Sequence, residues 1–187
     1  MKEIFEIRLH GRGGQGAKTA AQLIAETALE KGKQIQAFPE YGPERTGAPM
    51  KAYTRISDKR ITTYAPVVNP DAVLVIDPTL IEAVDVAEGL GKDGILIVNT
   101  DKEPEEIRKE VNFKGKIFTV DATKISIELL GKNLPNMPII GALIKTTGIL
   151  TLEDISIEVR NHFTEKIGEK NTEANIKAIK KAYDEVK

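Results

Sequence analysis

Apolar residues in this chain switch between two spacings, and the switches divide it into alternating strands and helices. Residues 4–9 alternate apolar with polar, the period of a strand. From about residue 15 to 31 the period lengthens. Ala17, Ala20, Ala21, Ile24, Ala28 and Leu29 recur at steps of three and four, which is one face of a helix. The alanines allow that helix to lie close to a sheet, and Gly32 is placed to end it. Residues 34–38 read as a second strand. Residues 50–56 read as a third, expected to be antiparallel with a partner near residues 60–64.

Three compact runs follow, at residues 72–76, 95–98 and 117–120, each apolar on both faces. Parallel strands covered by helices on either side have this character. Each run ends in a polar residue: Asp77, Asn99 and Asp121. Helical stretches are predicted after them at about 79–90, 104–111 and 123–130. From residue 138 onward the pattern is helical only, over 139–147, about 152–163 and 173–186. Thr151 and Asp154 fit a capping box for the middle one. No repeat or linker interrupts the series. The prediction is one α/β domain over residues 1–187: an open, mostly parallel, Rossmann-like sheet with helices on both faces and a helical C-terminal tail.

Composition removes whole classes of chemistry. The 187 residues contain no cysteine, so no disulfide, thiolate nucleophile or cysteine-ligated iron–sulfur cluster can be built from this chain. Two histidines, His10 and His162, are too few for an ordinary zinc site unless partners contribute, and no metal is expected. Net charge is −1 with Lys and Arg dispersed, which argues against nucleic acid or an anionic membrane as partner. No apolar stretch approaches the roughly 20 residues that span a bilayer, and the first residues lack the order of a signal peptide. A cytoplasmic location is expected. Abundant Lys and Glu with no Trp and three Met lean toward a thermophilic composition.

The sharpest local feature is Gly11-Arg12-Gly13-Gly14-Gln15-Gly16, between the first strand and the first helix. Glycines there let the backbone turn tightly and aim the N–H groups of a helix start at an anion. The same glycines could serve strand–helix packing alone. A dinucleotide-binding reading needs an acid at the end of the second strand to hold a ribose hydroxyl. Glu40 is the one candidate, and Tyr41-Gly42-Pro43 follows it where a helix should stand. An ATPase reading fails on spacing. Ala17 intervenes before Lys18-Thr19, which turns Lys18 about 100° around the helix and away from a phosphate.

The second unusual segment is Phe38-Pro39-Glu40-Tyr41-Gly42-Pro43-Glu44-Arg45-Thr46-Gly47-Ala48-Pro49, too rich in Pro and Gly for a helix. Loops that leave the carboxyl ends of the first two strands share the sheet edge where open α/β folds bind ligands. Together with His10-Gly11-Arg12-Gly13-Gly14-Gln15-Gly16, with Asn69-Pro70-Asp71, with the strand ending in Asp77, and with Asn136-Met137-Pro138-Ile139-Ile140-Gly141-Ala142-Leu143, this segment resembles the gamma subunits of the 2-oxoacid:ferredoxin oxidoreductase family. The likeness covers essentially the whole chain. The wording Glu44-Arg45-Thr46-Gly47-Ala48-Pro49 leans to the pyruvate:ferredoxin oxidoreductase (pyruvate synthase) branch. Subunits acting on 2-oxoglutarate or branched-chain 2-oxoacids share the glycine loop, and an independent dinucleotide-binding protein stays open as the alternative.

The resemblance implies a subunit that is inactive alone. The reaction implied is pyruvate, coenzyme A and oxidised ferredoxin giving acetyl-CoA, CO2 and reduced ferredoxin. Thiamine diphosphate, magnesium and iron–sulfur clusters would lie on alpha, beta and delta subunits of a heterotetramer, and ferredoxin would meet the holoenzyme. The chain has no Gly-Asp-Gly motif of the kind that anchors thiamine diphosphate through magnesium. By resemblance, coenzyme A binding is expected at Gly11, Arg12, Gly13, Gly14, Gln15, Gly16, Tyr41, Arg45 and Thr46. No residue is assigned a catalytic role. Asp77, followed by Pro78, is expected to cap a helix, and Asn99 and Asp121 likewise. His10 is expected to be hydrogen-bonded within the fold, and His162 to be solvated.

Overall fold

The computed structural model describes residues 3–41 and 47–187. Six strands form one sheet: β1 (Ile4–Arg12), β2 (Gln34–Tyr41), β3 (Pro49–Ser57), β4 (Ala72–Val75), β5 (Ile95–Asn99) and β6 (Lys116–Val120). Their spatial order is β2-β3-β1-β4-β5-β6. β1, β4, β5 and β6 are parallel neighbours, whereas β3 runs antiparallel to both β1 and β2. Five strands therefore point one way and only β3 is reversed, which is the mostly parallel sheet expected. The expected partner for β3 near residues 60–64 is not a strand; that segment is irregular and β3 is satisfied on both sides by β1 and β2.

Seven helices are present among the described residues: α1 (Ala17–Glu30), α2 (Leu80–Ala83), α3 (Pro104–Glu110), α4 (Ala122–Leu130), α5 (Pro138–Thr147), α6 (Leu152–Ile167) and α7 (Glu169–Glu185). None is long and apolar enough to cross a membrane. α1 buries Ala17, Ala20, Ala21, Ile24 and Ala28 as its spacing predicts, but Leu29 is half exposed and Leu23 and Ala25 take its place in the core. The helix predicted over 79–90 is one turn only. It ends at Ala83, after which Val84 is extended; farther on, Gly89 at φ 76° approaches the Val68 carbonyl so closely that a Cβ there would collide with it.

The two faces of the sheet are built differently. On one face Ile7, Leu9, Ala52, Leu74 and Ile97 pack under α1, α4, α5, α6 and α7 in the larger apolar core. α5 is fully buried along Pro138–Ile144, so the C-terminal helices form a layer of the core and are not an appendage. Gly141 lets α5 and α7 touch, since its Cα lies directly against the Ile179 carbonyl. On the other face Val73, Val75, Leu96 and Val98 meet α2, α3 and the segments around them in a smaller core.

Under β1 and β3 this second face turns polar. Arg8 and Arg55 are buried there and act as clamps. Arg8 donates to the carbonyls of Val86 (3.2 Å) and Glu88 (2.5 Å). Arg55 pairs with Glu6 (2.9 Å) and donates to Gln36 Oε1 (3.0 Å) and the Ala65 carbonyl (2.6 Å). Buried guanidinium groups thus satisfy loop carbonyls that an apolar layer would leave unpaired.

Helix ends follow their sequence signals in part. Asp121 caps α4 by accepting from Lys124 N–H at 2.8 Å, and Thr151 with Asp154 forms the capping box of α6. Asn99 caps a helix other than the one that follows it. It accepts from Thr123 N–H in the first turn of α4 (3.0 Å) and donates to the Ile76 carbonyl (2.8 Å), tying β4, β5 and α4 together.

Candidate functional site

The loops that leave β1 and β4 emerge side by side, because those strands are parallel neighbours in register from Ile7 and Ala72. The first is the glycine loop. Gln15 N–H donates to the Arg12 carbonyl at 3.1 Å, which closes a turn. Gly14 (φ 95°) and Gly16 (φ 79°) both take left-handed conformations that other residues resist. Gly11 does not need to be glycine on the same ground; a Cβ there would make ordinary contact, 3.4 Å from Ala17 Cβ. Gly16 is the N-cap of α1 and no side chain caps it. Among the described residues, the amides of Gly14 and Gly16 find no acceptor. With the first-turn amides of α1 they form an open cluster of donors.

The polar side chains of the loop turn inward. Gln15 accepts from Arg12 N–H through Oε1 (2.7 Å) and donates through Nε2 to Asp77 Oδ2 (2.7 Å). Arg12 Nε lies 3.2 Å from that same oxygen, while its Nη2 donates to Thr79 Oγ1 (3.0 Å) and its Nη1 to the Gly47 carbonyl (3.2 Å). Thr79 donates twice to Asp77 Oδ1, from its amide (3.0 Å) and its hydroxyl (2.6 Å). Burial alone would raise the Asp77 carboxyl, but the donors Thr79 and Gln15 and the charge of Arg12 outweigh it and hold the group below its ordinary value. Asp77 is not the N-cap expected: Thr79 holds that position in α2 and no side chain caps it, while Asp77, two residues earlier, accepts from Thr79 and anchors the glycine loop, which strand and helix patterns do not reveal.

Two further contacts fix the loop. Gly13 N–H donates to the Ala48 carbonyl at 3.1 Å, which joins it to the start of β3. Asn136, buried just ahead of α5, donates to the Gly16 carbonyl at 3.4 Å, and a Cβ on Gly16 would come within 2.5 Å of its amide nitrogen. Asn136 stands in the Asn-Met-Pro motif, but its contact spans 120 positions and has no local signal.

Of the residues expected to bind a ligand, Gly11, Arg12, Gly13, Gly14, Gln15 and Gly16 are thus gathered at one edge of the sheet. Tyr41 is the last residue of β2, paired in register with Met50 near that edge. Arg45 and Thr46 lie outside the described residues. Lys18 is exposed on α1.

Glu40 does not stand where a dinucleotide would need it. β3 is inserted between β1 and β2, so the end of β2 is two strand spacings, about 10 Å, from the glycine loop strand. Glu40 also accepts a hydrogen bond from the Tyr53 hydroxyl. On this polar face a cavity of about 140 Å3 is lined by His10, Glu40, Met50, Lys51, Leu80 and Val84, with Pro49 at its rim. His10 Nε2 accepts from Arg8 Nε at 3.0 Å, which places the imidazole proton on Nδ1. Burial, then the charges of Arg8 and Lys51, push the His10 pKa down to about 3, so the ring is neutral. It is held within the fold, as expected. His162 departs from expectation: it is half-buried between α6 and α1, with Nδ1 3.3 Å from Glu26 Oε2.

Comparison with known proteins agrees with this architecture. The sequence is 51% identical to the pyruvate synthase subunit PorC of Thermotoga maritima over 186 residues, 100% of this chain and 96% of the relative. It is 47% identical over 179 residues to the pyruvate/ketoisovalerate oxidoreductases common subunit gamma of Pyrococcus abyssi, covering 95% of this chain and 97% of that one. The crystal structure of pyruvate oxidoreductase subunit PORC from Thermotoga maritima superposes with a TM-score of 0.90 at 50% identity, over 100% of this chain and 98% of the other. The fold recurs within the 2-oxoglutarate:ferredoxin oxidoreductase of Magnetococcus marinus, at a TM-score of 0.80 and 20% identity, where it accounts for 31% of that longer chain. The family model for pyruvate ferredoxin/flavodoxin oxidoreductase matches residues 6–185, and the chain belongs to that family.

Proposed function

We propose that this chain is the gamma subunit of a pyruvate:ferredoxin oxidoreductase (pyruvate synthase). The observation that carries the reading is 51% identity to PorC of Thermotoga maritima along the whole chain. In this reading pyruvate, coenzyme A and oxidised ferredoxin yield acetyl-CoA, CO2 and reduced ferredoxin in the cytoplasm, with two electrons passing to ferredoxin. The chain has no cysteine to ligate a cluster, so iron–sulfur centres belong to the alpha, beta and delta partners, and the missing Gly-Asp-Gly motif assigns thiamine diphosphate and magnesium to them as well.

The glycine loop is the part of this chain best suited to coenzyme A. Its open amides at Gly14 and Gly16 sit at a helix start, where a phosphate is favoured by both hydrogen bonds and the helix dipole. Arg12 and Gln15 serve the same site from behind, by holding the loop in shape through Asp77. Tyr41, Arg45 and Thr46 are the other residues proposed, by resemblance, to bind coenzyme A.

The test is an assay of pyruvate- and coenzyme A-dependent viologen reduction. The chain alone should be silent, and activity should appear when alpha, beta and delta subunits are added. Turnover by the chain alone overturns the reading. A second substrate reading is favoured by the Pyrococcus abyssi relative, whose name assigns one gamma subunit to both pyruvate and ketoisovalerate enzymes. Assaying the assembled enzymes with each 2-oxoacid separates a dedicated subunit from a shared one.

A further inference from the structure

Away from the glycine loop, α1 and α6 bring three metal-binding side chains together: Glu26, Glu158 and His162, each half-buried. Glu158 and His162 are four positions apart and so share one face of α6, opposite Glu26 on α1. One ligand atom from each lies within 4.8 Å of the others.

The Glu26–His162 pair has the spacing of two ligands on one ion. Glu26 Oε2 is cut off from solvent and accepts no hydrogen bond among the described residues. His162 Nδ1 stands 3.3 Å from it without hydrogen-bond geometry. Two ligands bound tetrahedrally to zinc at about 2.1 Å lie about 3.4 Å apart, which is this separation. The outer contacts also orient the ligands. Gln22 Nε2 donates to Glu26 Oε1 at 2.7 Å, and Asn161 hydrogen-bonds Glu158. The edge of the Phe163 ring sets the plane of His162. Such supporting bonds are typical of metal sites.

We propose that Glu26, Glu158 and His162 form a site for a first-row divalent cation of the zinc class, with water completing its shell, that clasps α1 to α6. One imidazole with two carboxylates selects zinc and its neighbours over magnesium or calcium, which prefer oxygen alone. Glu158 closes the remaining gap by rotation of its own side chain. With Nδ1 on the ion, Nε2 carries the proton, and the exposed Lys166 ammonium, now 3.3 Å from it, turns to solvent.

The experiment uses the full chain without a histidine tag, stripped with EDTA. Titration calorimetry with Zn2+ should give one ion per chain at micromolar concentration, and Zn2+ should raise the melting temperature by several degrees. His162→Ala and Glu158→Gln should each weaken binding at least tenfold, while their melting temperatures in EDTA stay near that of the parent. Mg2+ and Ca2+ should produce no shift. Absence of stoichiometric Zn2+ binding, an affinity unchanged from the parent in both variants, or an equal response to Mg2+ or Ca2+ each overturns the proposal.

Discussion

Gln15 Nε2 donates to Asp77 Oδ2 at 2.7 Å, across 62 positions of sequence, and this bond joins the glycine loop to the turn after β4. Asp77 receives Thr79 and Arg12 as well, so one nearly buried carboxylate holds two loops. Asp77→Asn keeps the shape and removes the charge. It should cost about 1.5–3 kcal/mol, the range for hydrogen bonds to a charged group, read by urea unfolding. The folded-state pKa lies below the ordinary 3.8, so the contribution is fully present above that value and is lost as pH falls through the lower folded value. The variant should therefore show a flatter loss of stability below pH 4.

His10 makes stability acid-sensitive over a different range of pH. Its pKa is about 3 when folded against an ordinary 6.5. Between those values the unfolded chain binds a proton that the folded chain refuses, so stability rises with pH. The contribution is complete above pH 6.5 and falls as the solution is acidified, by about 2 kcal/mol between pH 7 and pH 5. His10→Gln retains an acceptor for Arg8 and should remove that slope, as measured by urea midpoints across the range.

Gly141 is a packing requirement. A methyl group there would overlap the Ile179 carbonyl oxygen and sit 2.8 Å from Tyr183 N, on the backbone of α7. Backbone cannot swing aside as a side chain can. Gly141→Ala should destabilise the chain by about 1–3 kcal/mol, the usual range for overpacking, with the α5–α7 contact showing faster amide exchange.

Gly14 separates charge from strain. Nothing lies within 4 Å of a Cβ built on it, so the expense of substitution is the left-handed φ alone, about 1–2 kcal/mol. Gly14→Ala and Gly14→Asp share that strain, and only the second sets a carboxylate among the loop amides. In the assembled enzyme the aspartate variant should raise KM for coenzyme A tenfold or more beyond the alanine variant. Equal values for the two would place coenzyme A elsewhere.

Much of the fold was legible because burial imposes period. The strands buried on both faces at β4, β5 and β6 were readable as unbroken apolar runs, and α1 as a three-and-four spacing. α2 was not. Its apolar positions continue the helical pattern, but Val84 is extended and the segment after it gives its Val86 and Glu88 carbonyls to Arg8, contacts that span 78 and 80 positions. The partner of β3 was misplaced because antiparallel pairing depends on long-range register and leaves no local mark. At the site, the glycine loop was visible from its glycines. The inward roles of Arg12 and Gln15 were hidden, since a polar side chain in a loop reads the same whether it faces a ligand or an aspartate behind it.

Arg8 and Arg55 hold the loops over one face of the sheet by charge, while α1 holds the other face by apolar contact. Heat acts differently on these two kinds of attachment. The penalty for keeping a guanidinium out of water shrinks as temperature rises, whereas the gain per unit of buried apolar surface levels off. The clamped face therefore keeps more of its grip on warming than the greasy one. In a melting experiment followed residue by residue, loosening should begin beneath α1 and reach residues 65 and 86–88 last.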